Sequence, residues 1–225
     1  IDTIEDFVKI KNDSGYLGWI QKSDTAQQHS KPNMMINLPF ADLLPDAKNY
    51  YSPILTLPLG ALVDVGFSHE KEFERYGFVL LPDKRIFYIR KSALANIPKK
   101  SENNDEMREK IVSNAKKYLN VQYRWGGKTP FGIDCSGLAF MAYRLSGAKI
   151  WRDADFEKNE CLSSIKLEKA QKGDLLFFKG HMAIYLNNGE FIHSSSALGR
   201  VGYGSFAENS WYGENLLKVG TIFDE

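Results

Sequence analysis

Asp134-Cys135-Ser136-Gly137, preceded by Tyr123-Arg124-Trp125-Gly126-Gly127 and Phe131-Gly132-Ile133, is the stretch on which the fold of this chain turns. Behind it, Leu138, Met141, Ala142 and Leu145 recur at i, i+3, i+4 and i+7, which predicts a helix with one apolar face. Cys135 then falls in the first helical turn, where unpaired backbone N–H groups and the helix dipole favour an anion. A thiolate is such an anion, and this position is expected to lower the thiol pKa. A lone cysteine also reads as a small buried side chain. The helix start alone leaves both readings open.

Two histidines downstream favour a reactive cysteine. Asp174-Leu175-Leu176-Phe177-Phe178 reads as a buried strand. His181-Met182-Ala183-Ile184-Tyr185-Leu186 and Glu190-Phe191-Ile192-His193-Ser194 then flank Asn187-Asn188-Gly189, a hairpin signature. Parity tests the register. A two-residue loop at Asn188-Gly189 pairs His193 with Ile184 and puts the two histidines on opposite faces. A three-residue loop over Asn187 to Gly189 pairs Leu186 with Glu190 and Ala183 with His193. His181 and His193 then share a face as diagonal neighbours, roughly 7–8 Å apart. Gly189 at the third loop position suits the second register, which is the one expected here.

Taken together, the Tyr-x-Trp-Gly-Gly prelude, Asp134-Cys135-Ser136-Gly137, Gly173-Asp174-Leu175 and the two histidines resemble the NlpC-type, papain-like peptidases of bacterial cell-wall metabolism. The resemblance covers residues 106–225. It implies that Cys135 is the nucleophile, that His181 is the base and that His193 orients it. It also implies an oxyanion site formed by the backbone N–H of Cys135 and the hydroxyl of Tyr123.

Composition agrees. A chain of 225 residues holds one catalytic core and a smaller module. The net charge of +1, with no Lys/Arg patch interleaved with aromatics, argues against a nucleic-acid partner. Lys99-Lys100 and Lys116-Lys117 read as solvated surface. No apolar run approaches the roughly 20 residues needed to span a bilayer. Cys135 and Cys161 are the only cysteines, too few for a disulfide framework, and a bridge between them would block the nucleophile. Cys161 is read as a bystander. No CxxC or His-Cys cluster has metal-ligand spacing, so neither metal nor cofactor is expected.

The first hundred residues differ in texture. Pro32, Pro39, Pro45, Pro53, Pro58, Pro82 and Pro98 punctuate short β-rich runs: residues 54–57, 61–65 and 86–89. That pattern predicts a small all-β barrel. Trp19-Ile20-Gln21-Lys22-Ser23 is echoed by Tyr88-Ile89-Arg90-Lys91-Ser92, which suggests two copies of one module. Both resemble the closing strand of bacterial SH3-like domains, although Phe87 stands where glycine is usual. The first copy has far fewer residues ahead of its echo, so the chain is expected to begin inside its first module. The expected layout is a partial SH3-like module at 1–30, a second at 31–98, a polar linker at 99–105 and the peptidase at 106–225. Met107, Ile111, Ala115 and Tyr118 form a helical core stripe after the linker, and residues 218–223 read as a last strand closing the sheet. The fold class is α+β: a helix-start cysteine packed on an antiparallel sheet, preceded by an SH3-like barrel region.

This combination is similar to the γ-D-glutamyl-L-diamino-acid endopeptidases. Their resemblance implies a monomer acting on L-Ala-γ-D-Glu-diamino acid peptides with a free N-terminal L-Ala. It also implies export to the periplasm or cell envelope; because the chain is expected to begin inside its first module, the start of the sequence says nothing about a signal. Substrate contacts are carried over to Tyr16, Asp134, Ser136, Arg152 and Asp153. Ser136 and Arg152 would hold the D-Glu α-carboxylate, and Asp153 the substrate ammonium. Trp151 departs from the proline usual in this Arg-Asp segment. Tyr16 also reads as barrel core, and for Trp19 core is the preferred reading. Three rivals stand beside this function: a general hydrolase of intact sacculi, a papain-like amidase or acyltransferase, and a non-catalytic wall-binding protein. Whether the third substrate residue is meso-diaminopimelate or L-lysine is left open.

Overall fold

Alternating apolar positions become buried strand faces throughout a computed structural model that describes residues 2–27, 31–48, 51–207 and 210–223. The chain divides into two units, Ile1–Ile97 and Pro98–Glu225. The boundary expected at residue 30 lies outside the described residues.

The N-terminal unit is all β. Strands β1 (Thr3–Ile4), β2 (Phe7–Lys11) and β3 (Leu17–Gln21) form an antiparallel sheet in that order. Next come β4 (Met34–Ile36), β5 (Phe40–Leu43), β6 (Leu55–Pro58), β7 (Leu62–Gly66), β8 (Tyr76–Leu80), β9 (Ile86–Arg90) and β10 (Leu94–Asn96). A five-stranded sheet runs β10-β4-β7-β8-β9, and β5 pairs with β6. Period-two burial puts Val63 and Val65 of β7 and Phe87 and Ile89 of β9 into one core with Ile36, Leu43 and Val79. The echoed stretches share backbone as well as sequence. Each strand runs into a single 3-10 turn, Lys22–Asp24 or Lys91–Ala93, flanked by residues with nearly equal φ and ψ. The core role expected for Trp19 is not what the structure shows. Trp19 is 43% exposed, and its cross-strand partner Lys9 lies over its ring at 5.9 Å. Three strands do not close around a side chain.

The C-terminal unit packs two helices against an antiparallel sheet. Helix α1 (Asn104–Lys116) is capped by Asn103, whose side chain accepts from Glu106 N. Met107, Ile111 and Ala115 are fully buried along one stripe, with Tyr118 just beyond the last turn. Emptying one such position, as in Ile111→Ala, costs about 2–5 kcal/mol. The short pair β11 (Lys128–Thr129) and β12 (Gly132–Ile133) leads into α2 (Cys135–Arg144). Then follow β13 (Ser163–Ile165), β14 (Leu175–Phe178), β15 (His181–Asn187), β16 (Glu190–Ser195), β17 (Arg200–Ser205), the short α3 (Ser210–Asn215) and β18 (Leu216–Thr221).

The sheet order is β13-β18-β14-β15-β16-β17. The last strand therefore does not close the sheet at its edge. It lies inside, paired with β14, because the loop after α2 supplies β13 as a further strand outside it. Every residue of β14 is buried, and its start is pinned to both helices. Tyr143 donates to Gly173 O at 2.6 Å, and Arg108 pairs with the fully buried Asp174 at 2.8 Å. Asp174 also accepts from Gln171 N, so the Gly-Asp-Leu step is a structural staple.

Candidate active site

Asp134 builds the start of α2. Its backbone is extended, and its side chain caps the helix by accepting from Gly137 N at 2.6 Å. The second carboxylate oxygen accepts from Gly126 N at 2.7 Å, anchoring the glycine turn. Arg152, from the loop after α2, grips both carboxylate oxygens at 3.0 and 3.1 Å. It also donates to Ser136 Oγ at 2.7 Å and to Gly127 O at 3.0 Å. Asp134 and Arg152 are 6% and 4% exposed.

These bonds give Asp134, Ser136 and Arg152 a structural task beside the substrate-binding roles expected for them. Both terminal nitrogens of Arg152 make hydrogen bonds inside the protein. Ser136 Oγ donates to Asp134 at 3.3 Å while accepting from Arg152. The three residues hold the helix start and the glycine turn in register. The glycines follow from that closeness. A Cβ on Gly137 would lie 2.2 Å from Gly127 O, and one on Gly127 would lie 2.4 Å from Gly132 O.

The loop carrying Arg152 has its own anchor. Trp151 donates its backbone N–H to Asn159 Oδ1 at 2.6 Å, a bond that proline could not make. Asn159 in turn donates to Asp155 O. Asp153, next to Arg152, is half-buried. Tyr16, in the N-terminal unit, is 40% exposed, and its N–H donates to the Asn12 side chain within a tight turn.

Cys135 is the first residue of α2 and is 9% exposed. Backbone N–H groups of Met182, Ser136 and Cys135 itself face the sulfur and favour the thiolate. Burial outweighs them, and the Asp134 charge adds to it, so the thiol is pushed up rather than down. The lowering expected from the helix start is thus present as a contribution but not as the net result. Tyr123 is half-buried, and its hydroxyl is raised by burial and then by the charges of Cys135 and Asp134, which puts it within electrostatic reach of the sulfur. Its backbone donates to Gly199 O at 2.8 Å. Ser194 Oγ donates to Ile133 O at 2.7 Å and ties β16 to the strand that feeds the helix. Cys161 is exposed, with its thiol 3.4 Å from Lys149 O. Among the described residues, no cluster of three His, Cys, Asp or Glu side chains could hold a metal.

The histidines meet through a turn that combines the two registers considered from sequence. The tip is a two-residue turn, Asn188-Gly189, with positive φ at both positions and Asn187 paired to Glu190. An irregularity between Tyr185 and Asn187 then shifts the pairing, so that Tyr185 faces Phe191 and Ile184 faces Ile192. Beyond it the ladder has the register expected from the longer loop, and both histidines lie on one face. His181 Nε2 and His193 Nδ1 are 2.9 Å apart. Burial lowers His181 to about 4. Burial, together with the nearby His181 charge, lowers His193 to about 3. Both rings therefore rest neutral, sharing one proton between the facing nitrogens.

Aromatic rings that sequence reading had not singled out enclose the pair. Phe178 stacks on His181 at 5.9 Å, while Phe191 and Tyr212 meet His193 edge to face at 5.2 and 5.7 Å. Phe191 was accessible to parity, two residues before His193 on one strand. Tyr212 carried no signal, since only the packing of α3 brings it there.

The chain is similar to known proteins. The NlpC/P60 family profile matches residues 120–219. Dipeptidyl-peptidase 6 of Lysinibacillus sphaericus is 35% identical over 233 residues, covering 97% of this chain and 85% of that protein. A γ-D-glutamyl-L-lysine dipeptidyl-peptidase of Bacillus cereus is 26% identical over 224 residues, covering 88% of this chain and 64% of that protein. The crystal structure of an NlpC/P60 family protein from Bacillus cereus superposes with a TM-score of 0.75 at 25% identity, covering 97% of this chain and 77% of that one.

Proposed function

Because the chain belongs to the NlpC/P60 family, we propose that it is a cysteine peptidase that hydrolyses γ-D-glutamyl-diamino acid bonds in cell-wall peptides. The observation that carries this reading is a thiol at a helix start facing Met182 N–H, one residue from a hydrogen-bonded histidine pair. In this reading, His181 takes the thiol proton through Nδ1 while its Nε2 is held by His193. Cys135 attacks the γ-glutamyl carbonyl, and charge developing on oxygen is met by Cys135 N–H and the Tyr123 hydroxyl. His181 then returns the proton to the leaving amine, and water releases the acyl group. The raised thiol and lowered imidazole make the resting pair neutral, so proton transfer accompanies attack.

The finer specificity is for peptides with a free N-terminal L-Ala. Relatives named dipeptidyl-peptidases support release of a dipeptide from a free amino end, and Asp153 is the acid proposed to meet that ammonium. An unpaired buried ammonium would be costly, so a site built around it rejects N-blocked peptides. The N-terminal unit reads as SH3-like, supported by its short antiparallel strands and the repeated strand-to-3-10 turn. A relative named a murein endopeptidase supports action in the cell envelope.

The test is mass spectrometry of products from L-Ala-γ-D-Glu-L-Lys, its meso-diaminopimelate counterpart and N-acetylated versions of both. Cleavage between D-Glu and the diamino acid in the free peptides alone is expected. Equal kcat/KM on free and acetylated peptides would instead support a general hydrolase of intact sacculi.

A further inference from the structure

We propose that Tyr212 is a positioning residue of the histidine pair: with Phe191 it offers aromatic faces to the outer nitrogen of His193, and so selects the tautomer in which His181 faces Cys135 with a bare nitrogen. This rests on the reading of Cys135 and His181 as nucleophile and base.

The argument is a proton count. Two neutral imidazoles with Nε2 of one 2.9 Å from Nδ1 of the other share a single proton across that contact. If His193 carries it on Nδ1, His181 accepts at Nε2 and must hold its own proton on Nδ1. It then has no lone pair for a thiol. If His181 carries it on Nε2, its Nδ1 is bare and basic, and His193 holds its own proton on Nε2.

The productive arrangement therefore buries the Nε2–H of His193. That residue is 1% exposed, and its Nε2 has no hydrogen-bond partner among the described residues. Left without any partner, a buried N–H in such a place disfavours the productive tautomer. The groups packed around the ring answer this. Phe191 and Tyr212 stand at 87° and 71° to it, and they meet each other edge to face at 4.8 Å, forming an aromatic corner. An aromatic face is electron-rich and accepts an N–H weakly. Phe191 is fully buried and lies on the same strand as His193. Tyr212 is half-buried on α3, so it can be changed without emptying the core.

The experiment is nitrogen-15 NMR of the histidine side chains in the full chain at neutral pH, with kcat and KM for the free tripeptide. Wild type should show His193 protonated at Nε2 and His181 at Nε2. Tyr212→Phe keeps the ring face and should retain the tautomer and most of kcat. Tyr212→Leu should populate His193 protonated at Nδ1 and lower kcat at least 10-fold with KM little changed. A wild-type spectrum with His193 protonated at Nδ1 would overturn the proposal without any variant. So would a folded Tyr212→Leu protein with unaltered tautomer and kcat, as expected if a water satisfied Nε2 instead. A wild-type chain inactive on every peptide would sink the functional reading, while the spectra would still decide the tautomer.

Discussion

Replacing Arg152 with methionine separates a structural clamp from a substrate ligand. The substitution removes the four bonds from its terminal nitrogens and leaves the 6%-exposed Asp134 carboxylate without its counter-charge. Stranding one partner of a buried ion pair costs about 3–5 kcal/mol. Asp134 would keep three donors, Gly126 N, Gly137 N and Ser136 Oγ, which places Arg152→Met at the lower end, near ~3 kcal/mol. Asp134→Ala loses the same pair and also the helix cap, worth about 1 kcal/mol, so its cost should be near ~5 kcal/mol. The double variant strands no charge and should cost less than the sum of the two, with a coupling of about 2–3 kcal/mol. For a unit of this size, Arg152→Met should lower the melting temperature by roughly 10 °C. Thermal and urea unfolding followed by near-UV circular dichroism read the stabilities, and steady-state kinetics on the free tripeptide read the site. The clamp predicts a loss of stability with a fall in kcat, because the helix start carrying Cys135 loosens. Unchanged unfolding combined with a raised KM and normal kcat would refute it and restore Arg152 as a carboxylate ligand.

Other outcomes follow from the same geometry. Cys135→Ala should abolish peptide turnover and leave the unfolding midpoint nearly unchanged, whereas Cys161→Ser should retain most activity; turnover by the Cys135→Ala protein would remove the thiol from the mechanism. Gly137→Ala should prevent stable folding or eliminate activity, since the new methyl would meet Gly127 O at 2.2 Å, while Gly18→Ala, where a Cβ meets nothing within 4 Å, should fold normally by circular dichroism. The histidine pair makes stability pH-dependent. Both pKa values fall on folding, so the unfolded chain binds more protons between pH 6.5 and about 4 for His181 or about 3 for His193. Stability is fully present above pH 6.5 and is lost as pH falls through that window, on the order of 3 kcal/mol from His181 alone. Urea midpoints measured from pH 7 to 4 should show this decline, and His181→Gln should make it shallower while the His193 contribution remains.

Local information was enough for the helix start, the core stripe of α1, the buried strand at Leu175–Phe178 and the shared face of the two histidines. Those features depend on spacing and on turn chemistry within a few residues. The turn itself was subtler than its sequence suggested. Asn188-Gly189 adopted the two-residue turn that its residue types favour, and one irregular position after it restored the register that buries the apolar set. Residue types and their periodicity thus determined which side chains come together at the candidate site. Only the tertiary structure decided how those side chains are held and charged. Arg152 reads in sequence as a ligand, and the fold adds a pairing with Asp134, buried beside it. Cys135 reads as an activated thiol, yet burial outweighs the helix start. Tyr212 reads as nothing, and packing carries it to the ring of His193. Charge state and hydrogen-bond satisfaction depend on what surrounds an atom in space, and those neighbours come from distant segments that no local pattern encodes.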